Sequence, residues 1–308
     1  MAPNLSVTIG KLKLKNPVMV ASGTFGYAEE FADFIDLKKL GAIVTKTITL
    51  KPRRGNPAPR TCETPSGMLN SIGLENPGLE TFVREKLPVL KEIGCPVIVS
   101  IASEEDPQEF VVLAKRLDAI REVAAIELNI SCPNIGGVGL ISQNAKATYN
   151  LVKSVRKVTK KTLIIKLSPN VTDIVEIALA AEAAGSDALA LVNTLTGMSI
   201  DVNSRRPRIA AVTAGLSGPA IRPMAVRMVW EAYRKVKLPI VGMGGIIDTP
   251  SALEFFIAGA TAVSVGTANF INPKVSVEII EGIRKYLTVN KITSLKKLTG
   301  SLKWQIRT

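Results

Sequence analysis

The segment Glu127-Leu128-Asn129-Ile130-Ser131-Cys132-Pro133-Asn134 puts a thiol three residues past an asparagine, where an apolar run gives way to amides and a proline. A cysteine that only fills a core sits among hydrophobes, and Cys132 does not. The chain contains no histidine, so proton transfer must use cysteine, lysine, tyrosine, a carboxylate or water. A thiol of ordinary pKa near ~8.5 becomes a usable base once nearby cations lower it. Two lysines have a matching setting. Lys46 and Lys166 stand at the ends of the apolar runs "AIVTKT" and "LIIKLSP", and a buried lysine is costly unless it faces an anion. The other two cysteines read differently. Cys95 directly precedes an apolar run and Cys62 has no evident partner, so both are expected to be structural. None of the three has metal-ligand spacing, which leaves zinc and disulfides without support and fits a reducing compartment.

These candidates sit at the ends of regularly spaced elements. Short β-branched runs recur at 18–23, 42–47, 96–102, 126–132, 163–169, 188–194, 239–245 and 262–268. Each is nearly continuously hydrophobic, as parallel strands buried on both faces must be. Helix-period segments separate them, such as "TDIVEIALAAEAAG" with Thr172 expected as N-cap and Gly185 just past the C-terminus. The same punctuation recurs before three runs, at Leu40-Gly41-Ala42, Ala184-Gly185-Ser186 and Ala258-Gly259-Ala260. Eight such units predict an α/β fold, a single (β/α)8 TIM barrel. "LSVTIGKLKLKNP" alternates like a hairpin that would close the barrel floor. Residues 1–308 are read as one domain, with long loops after strands 2 (roughly 48–80), 4 and 6 (roughly 195–220). Long loops in a compact domain are usually lids or binding loops.

Polar residues gather where each run ends: Ser22, Lys46, Ser100, Asn129, Lys166, Asn193, Gly244 and Gly266 with Thr267. That is the catalytic face of such a barrel. Runs seven and eight end in "GMGGI" and "VGTANF", where glycine lets backbone N–H groups approach a phosphate. "GLSGPAIRP" (215–223) could close over the same group. The dinucleotide pattern G-x-G-x-x-G is absent, which favours a mononucleotide such as FMN. The net charge of +13 is spread over scattered lysines, which reads as a solvated exterior with a pocket for anionic small molecules, not as a nucleic-acid patch. No secretory leader and no membrane span of about 18 apolar residues is found, and a cytoplasmic protein is expected.

With "NSIGLENPG" (70–78), "ELNISCPN" (127–134), "KLSPN" (166–170), "VNTLTGM" (192–198), "GLSGPAI" (215–221), "GMGG" (242–245) and "VGTANF" (265–270) in view together, the chain resembles a class 1 dihydroorotate dehydrogenase over nearly its whole length. "NISCPN" and "KLSPNVTDI" lean toward the NAD-linked catalytic subunit, class 1B. The resemblance implies oxidation of (S)-dihydroorotate to orotate in de novo pyrimidine synthesis, with hydride passing to one FMN per chain. Electrons would then reach NAD+ through a partner subunit carrying FAD and a [2Fe-2S] cluster, in a heterotetramer of two chains of each kind. No four-cysteine cluster motif occurs in this chain, so the cluster would belong to the partner; neither nucleic acid nor membrane is expected as a partner.

By resemblance Cys132 is the general base. Lys46, Asn70, Ser71, Ile72, Gly73, Leu74, Asn129, Asn193 and Thr194 hold substrate. Ser22, Lys46, Thr47, Ser100, Asn129, Lys166, Val192, Gly218, Gly244, Gly245, Gly266 and Thr267 hold flavin, Lys166 near its electron-rich edge. Two departures stand out: Ser100 replaces the asparagine usual at the end of strand three, and "IGGVGLISQNA" follows "SCPN" in place of the usual form. Alternatives are a fumarate-linked class 1A homodimer and, more distantly, an FMN-dependent tRNA-dihydrouridine synthase, for which +13 would mean RNA affinity.

Overall fold

The computed structural model describes residues 2–103, 106–131 and 141–304. Eight parallel strands close into a ring: β1 Val18–Val20, β2 Ala42–Val44, β3 Val97–Ile101, β4 Val123–Asn129, β5 Thr162–Lys166, β6 Ala188–Leu191, β7 Ile240–Met243 and β8 Ala262–Val265. Neighbours in the ring are neighbours in sequence, and β8 pairs with β1 through Val263 and Val18 to complete it. The chain is therefore a (β/α)8 TIM barrel. Several strands end earlier than their apolar runs. Ser22, Lys46 and Asn193 stand just beyond the last ladder residue of β1, β2 and β6, on the rim of the ring.

Successive strand residues face opposite sides, and the two cores show it. Met19, Ala42, Val44, Ile98, Ala125, Ile164, Ala188, Ala190, Val241, Met243 and Ala262 pack together inside the barrel. Residues of the other parity, such as Val18, Ile43, Val99, Ile126, Ile165 and Leu189, pack outward against the helices. The hairpin Val7–Ile9 and Leu12–Leu14 delivers Ile9 and Leu14 into the inner cluster, plugging the floor as its alternation predicts. Burying each contributes about 1.5–3 kcal/mol. Counting upward by two from the inner set reaches Lys46, Ser100, Glu127, Asn129, Lys166, Val192 and Ser264. The apolar interior thus ends in a polar top layer of the same parity.

Helices cover the outside. In Gln108–Asp118 the buried residues Phe110, Leu113, Ala114 and Leu117 form one stripe at helical spacing. The helix Ile174–Ala183 starts one residue later than the sequence suggests. Its N-cap is Asp173, not Thr172: the Asp173 carboxylate accepts from the Val175 N–H at 2.8 Å, and a carboxylate also meets the positive helix end favourably. The connection from β1 to β2 carries only the 3-10 turns Glu29–Phe31 and Leu37–Lys39 where the repeat leads one to expect an α-helix. Among the described residues no helix is long and apolar enough to cross a membrane.

The repeated glycine before strands has two different causes. Gly185 and Gly259 hold φ of +94° and +125°, a region costly to other residues. Gly41 is needed for room: a Cβ there would stand 2.4 Å from the Asn16 carbonyl oxygen, beside the Gly41 N–H to Val18 O bond of 2.8 Å that starts β2. Gly41→Ala is expected to cost about 1–3 kcal/mol of stability, seen as a lower denaturant midpoint; an unchanged midpoint would show that the Asn16 turn yields freely.

The long loops after β2 and β6 are not irregular. The first contributes Thr61–Thr64 and Gly67–Asn70, the second Leu195–Met198 and Thr213–Ser217. The four strands form one antiparallel sheet across the mouth of the barrel, with Gly215 opposite both Asn70 and Thr196. Leu69, Ile209 and Ala214 give this sheet a small core of its own. Most of the predicted loop after β4 (residues 132–140) lies outside the described residues.

Candidate active site

Between the barrel's polar top layer and the antiparallel sheet lies a cavity of about 1250 Å³. That exceeds the usual ~300–1,000 Å³ of a site for one small molecule and leaves room for more than one guest. Its barrel-side wall includes Ser22, Lys46, Thr47, Asn129, Lys166 and Val192. Lys166 is buried, and its ammonium donates to Ser22 Oγ at 3.4 Å. Asn129 Nδ2 donates to Thr47 Oγ1 at 3.4 Å, and Asn193 Nδ2 donates to Asn129 Oδ1 at 3.4 Å.

The lid side brings Asn70, Ser71, Ile72, Gly73 and Leu74 to the same cavity, which Asn193 and Thr194 also line. Asn70 Nδ2 donates to Gly215 O at 3.2 Å, 145 residues away in sequence. Gly215 permits this close approach, because a Cβ would stand 2.1 Å from Thr194 Oγ1. At the far end Gly218, Gly244, Gly245, Gly266 and Thr267 meet. Thr267 Oγ1 donates to Ser217 Oγ at 2.8 Å, tying the start of "GLSGPAIRP" to the end of β8.

Every predicted contact residue within the described residues lines this cavity except Ser100. Ser100 is fully buried one layer below, its hydroxyl 2.9 Å from Thr47 Oγ1 and donating to Glu127 Oε1 at 2.9 Å. Ser100, predicted to contact flavin, thus stands behind Thr47 with its hydroxyl engaged below the cavity. Cys132, the predicted base, lies outside the described residues; Ser131 immediately before it lines the cavity and donates to Lys166 O at 3.2 Å. Cys95 is buried, which pushes its thiol up to about 12, an inert structural group as expected. Cys62 lies in a lid strand, half-buried beside Leu69 and Ile209.

A family model for dihydroorotate dehydrogenase matches residues 4–287. The dihydroorotate dehydrogenase B (NAD(+)) catalytic subunit of Trichlorobacter lovleyi is 55% identical over 303 residues, covering 98% of this chain and 99% of that one. Proteins of the same name from Geobacter metallireducens and Thermoanaerobacter pseudethanolicus are 54% and 53% identical over 301 residues, each covering 97% of this chain and 98% and 99% of their own lengths. The chain belongs to the dihydroorotate dehydrogenase family. It is an oxidoreductase of that family, whose members depend on a flavin.

The cavity of this dihydroorotate dehydrogenase family member fits that group. At Gly245 (φ +71°) a Cβ would strike Gly218 O and Arg222 at 2.8 Å, so protein packing alone requires glycine. At Gly266 an added Cβ would meet nothing nearer than Ala21 at 3.8 Å, and at Gly23 nothing within 4 Å. Among the described residues no protein atom demands glycine at these two cavity positions, whereas a guest against the backbone would. The Ser264 hydroxyl, in the same wall, is buried without a partner among the described residues, a capacity that a polar guest can use. Among the described residues no cluster of three or more histidine, cysteine or acidic side chains could hold a metal.

Sequence reasoning overlooked several wall residues. Asn56 supports the substrate loop by donating to Ser71 Oγ at 2.7 Å. Asn170 donates to Thr194 O at 3.0 Å and accepts from the Thr196 N–H at 2.9 Å, joining the loops after β5 and β6. Asn170 was legible as the last residue of "KLSPN". Asn56 and Ser264 carry no local signal, since their importance follows from what lies across the cavity.

Proposed function

We propose that this chain is the catalytic subunit of an NAD+-linked dihydroorotate dehydrogenase, acting as one FMN-binding domain in the cytoplasm. Its phosphate end is formed by Gly218, Gly244, Gly245, Gly266 and Thr267, where backbone N–H groups are accessible to an anion. Ser22, Thr47, Asn129, Val192 and the two lysines border the flavin ring. When bound, FMN supplies the two-electron acceptor for the substrate's C–C bond.

The chain's own residues do the rest. Lys46, Asn70 to Leu74, Asn129, Asn193 and Thr194 bind dihydroorotate and its planar product orotate, anions with an imide edge that amides and main-chain groups can both donate to and accept from. Lys166 offsets negative charge at the flavin edge, worth more in a dry site than in water. The antiparallel sheet covers the mouth and excludes water. Cys132 takes the proton from the substrate ring carbon as a thiolate, the form of cysteine that acts as a base. The relatives' names carry NAD(+) in place of fumarate, which supports electron transfer onward through a partner bearing FAD and a [2Fe-2S] cluster, two chains of each in the complex.

One observation supports this reading: two loops more than a hundred residues apart pair into one sheet, and the cavity is lined by the predicted substrate and flavin residues together. The test is anaerobic. The purified chain, loaded with FMN, should bleach on addition of dihydroorotate and pass electrons to dyes but hardly to NAD+ until the partner chain is added. Purified protein that takes up no flavin, or flavin that dihydroorotate leaves oxidised, would overturn it.

A further inference from the structure

Glu127 is a buried carboxylate with no task in the reaction so far. It sits on β4 two residues before Asn129, 3% exposed, and lines no part of the cavity. Burying a carboxylate is costly unless it is hydrogen-bonded, and here the bond leads somewhere. Ser100 Oγ donates to Glu127 Oε1 at 2.9 Å and lies 2.9 Å from Thr47 Oγ1. Thr47 Oγ1 accepts from Asn129 Nδ2 and Asn129 Oδ1 accepts from Asn193 Nδ2, each at 3.4 Å. Asn193 Oδ1 accepts from the Thr194 N–H at 2.9 Å. The row runs unbroken from Glu127 to two amides in the cavity wall.

Its direction is fixed at one end. The Glu127 oxygen accepts here from Ser100, and a hydroxyl has one proton. Ser100 gives its proton to Glu127, so Thr47 must donate to Ser100. Thr47 then offers only lone pairs to Asn129, which must turn its NH2 toward it. That leaves Asn129 Oδ1 to receive Asn193, and each amide retains one N–H outside the row. We propose that Glu127 is a positioning residue that sets the donor–acceptor sense of Asn129 and Asn193, making this wall selective for a ligand edge rich in acceptor oxygens. The inference rests on the orotate reading above, orotate offering such an edge in its carbonyls and carboxylate. It also gives Ser100 a purpose: a small hydroxyl relays the row.

The Glu127→Gln change keeps the shape but lets the row run either way, because an amide can donate to Ser100 as well as accept from it. In the FMN-loaded protein, orotate affinity is read by titration against the flavin absorbance, alongside flavin content and unfolding temperature. Glu127→Gln and Ser100→Ala are each expected to weaken orotate about ten-fold with flavin content retained. The double variant should be no weaker than the weaker single one, since the row is already broken. Additive losses, unchanged affinity in both single variants, or losses that appear only together with flavin would overturn the proposal. Should Glu127→Gln fail to fold, Ser100→Ala decides alone: weaker binding supports the relay and unchanged binding removes it. A parent that binds no orotate would remove the pyrimidine reading and this inference with it, whereas a parent that binds it no better than the variants removes this inference alone.

Discussion

The Cys132→Ser protein is expected to stay yellow and to bind orotate, while its flavin is reduced by dihydroorotate about 10²–10⁴-fold more slowly near neutral pH. That is the usual contribution of a positioned general base. A serine hydroxyl ionises far less readily than a thiol, so at neutral pH almost no alkoxide is present to take the proton. Part of the rate should return at high pH, where hydroxide in solution can substitute. Cys132 is the base that the family resemblance implies, and its sequence neighbours stand at the site. Ser131 before it lines the cavity, Asn129 lies in the same wall, and with no histidine in the chain few other bases exist. Anaerobic stopped-flow reduction at several pH values measures the effect. An unchanged rate would remove Cys132 as base, and loss of flavin or orotate binding would reassign it to holding the site together.

Lys166→Met is expected to move stability in opposite directions with and without FMN. The Lys166 side chain is buried; its ammonium donates to Ser22 Oγ and has no carboxylate within 4 Å among the described residues. Without an anion its desolvation is poorly offset. An apolar chain of similar length should therefore make the flavin-free protein more stable by about 1–3 kcal/mol, a rise of a few degrees for a chain of this size. With FMN the order should reverse, because a charge-assisted contact worth about 1.5–3 kcal/mol is lost. Flavin should then dissociate about 10–100-fold more readily, and the stabilisation that bound flavin gives should shrink accordingly. Thermal unfolding with and without added FMN separates the two effects. A flavin-free variant less stable than its parent would show that Lys166 serves the barrel and not the guest.

Several features of this site are legible one strand at a time. The apolar runs that become β5 and β6 alternate between the inner and outer cores, and this period puts Lys166 on the interior side before any tertiary contact is known. The hairpin carrying Ile9 and Leu14 is legible for the same reason. Ser100 shows where such reasoning stops: its parity is right, but its depth is one layer too low, and depth depends on the tilt and register of neighbouring strands. The Asp173 cap replaced Thr172 because two adjacent residues of similar capping ability differ only in the backbone that the packed helix selects. The lid strands, short and rich in threonine and glycine, have little periodicity of their own. Gly67–Asn70 becomes a strand because Thr213–Ser217 lies beside it, a pairing between segments far apart in the chain.

The amino-acid order by itself determined that each apolar run gives way to polar residues and which side those residues face, since the side follows from a two-residue period written locally in the chain. It also determined the chemistry on offer: thiol, ammonium, amide and glycine, with imidazole absent. Only closure of the ring decided that Lys46, Asn129 and Lys166 share one cavity, and only the pairing of two distant loops decided that Asn70 lines the same cavity as Asn193. The tertiary structure alone also joined Glu127 to those amides through Ser100 and Thr47. Hydrogen-bond direction passes between strands, and no single strand contains it.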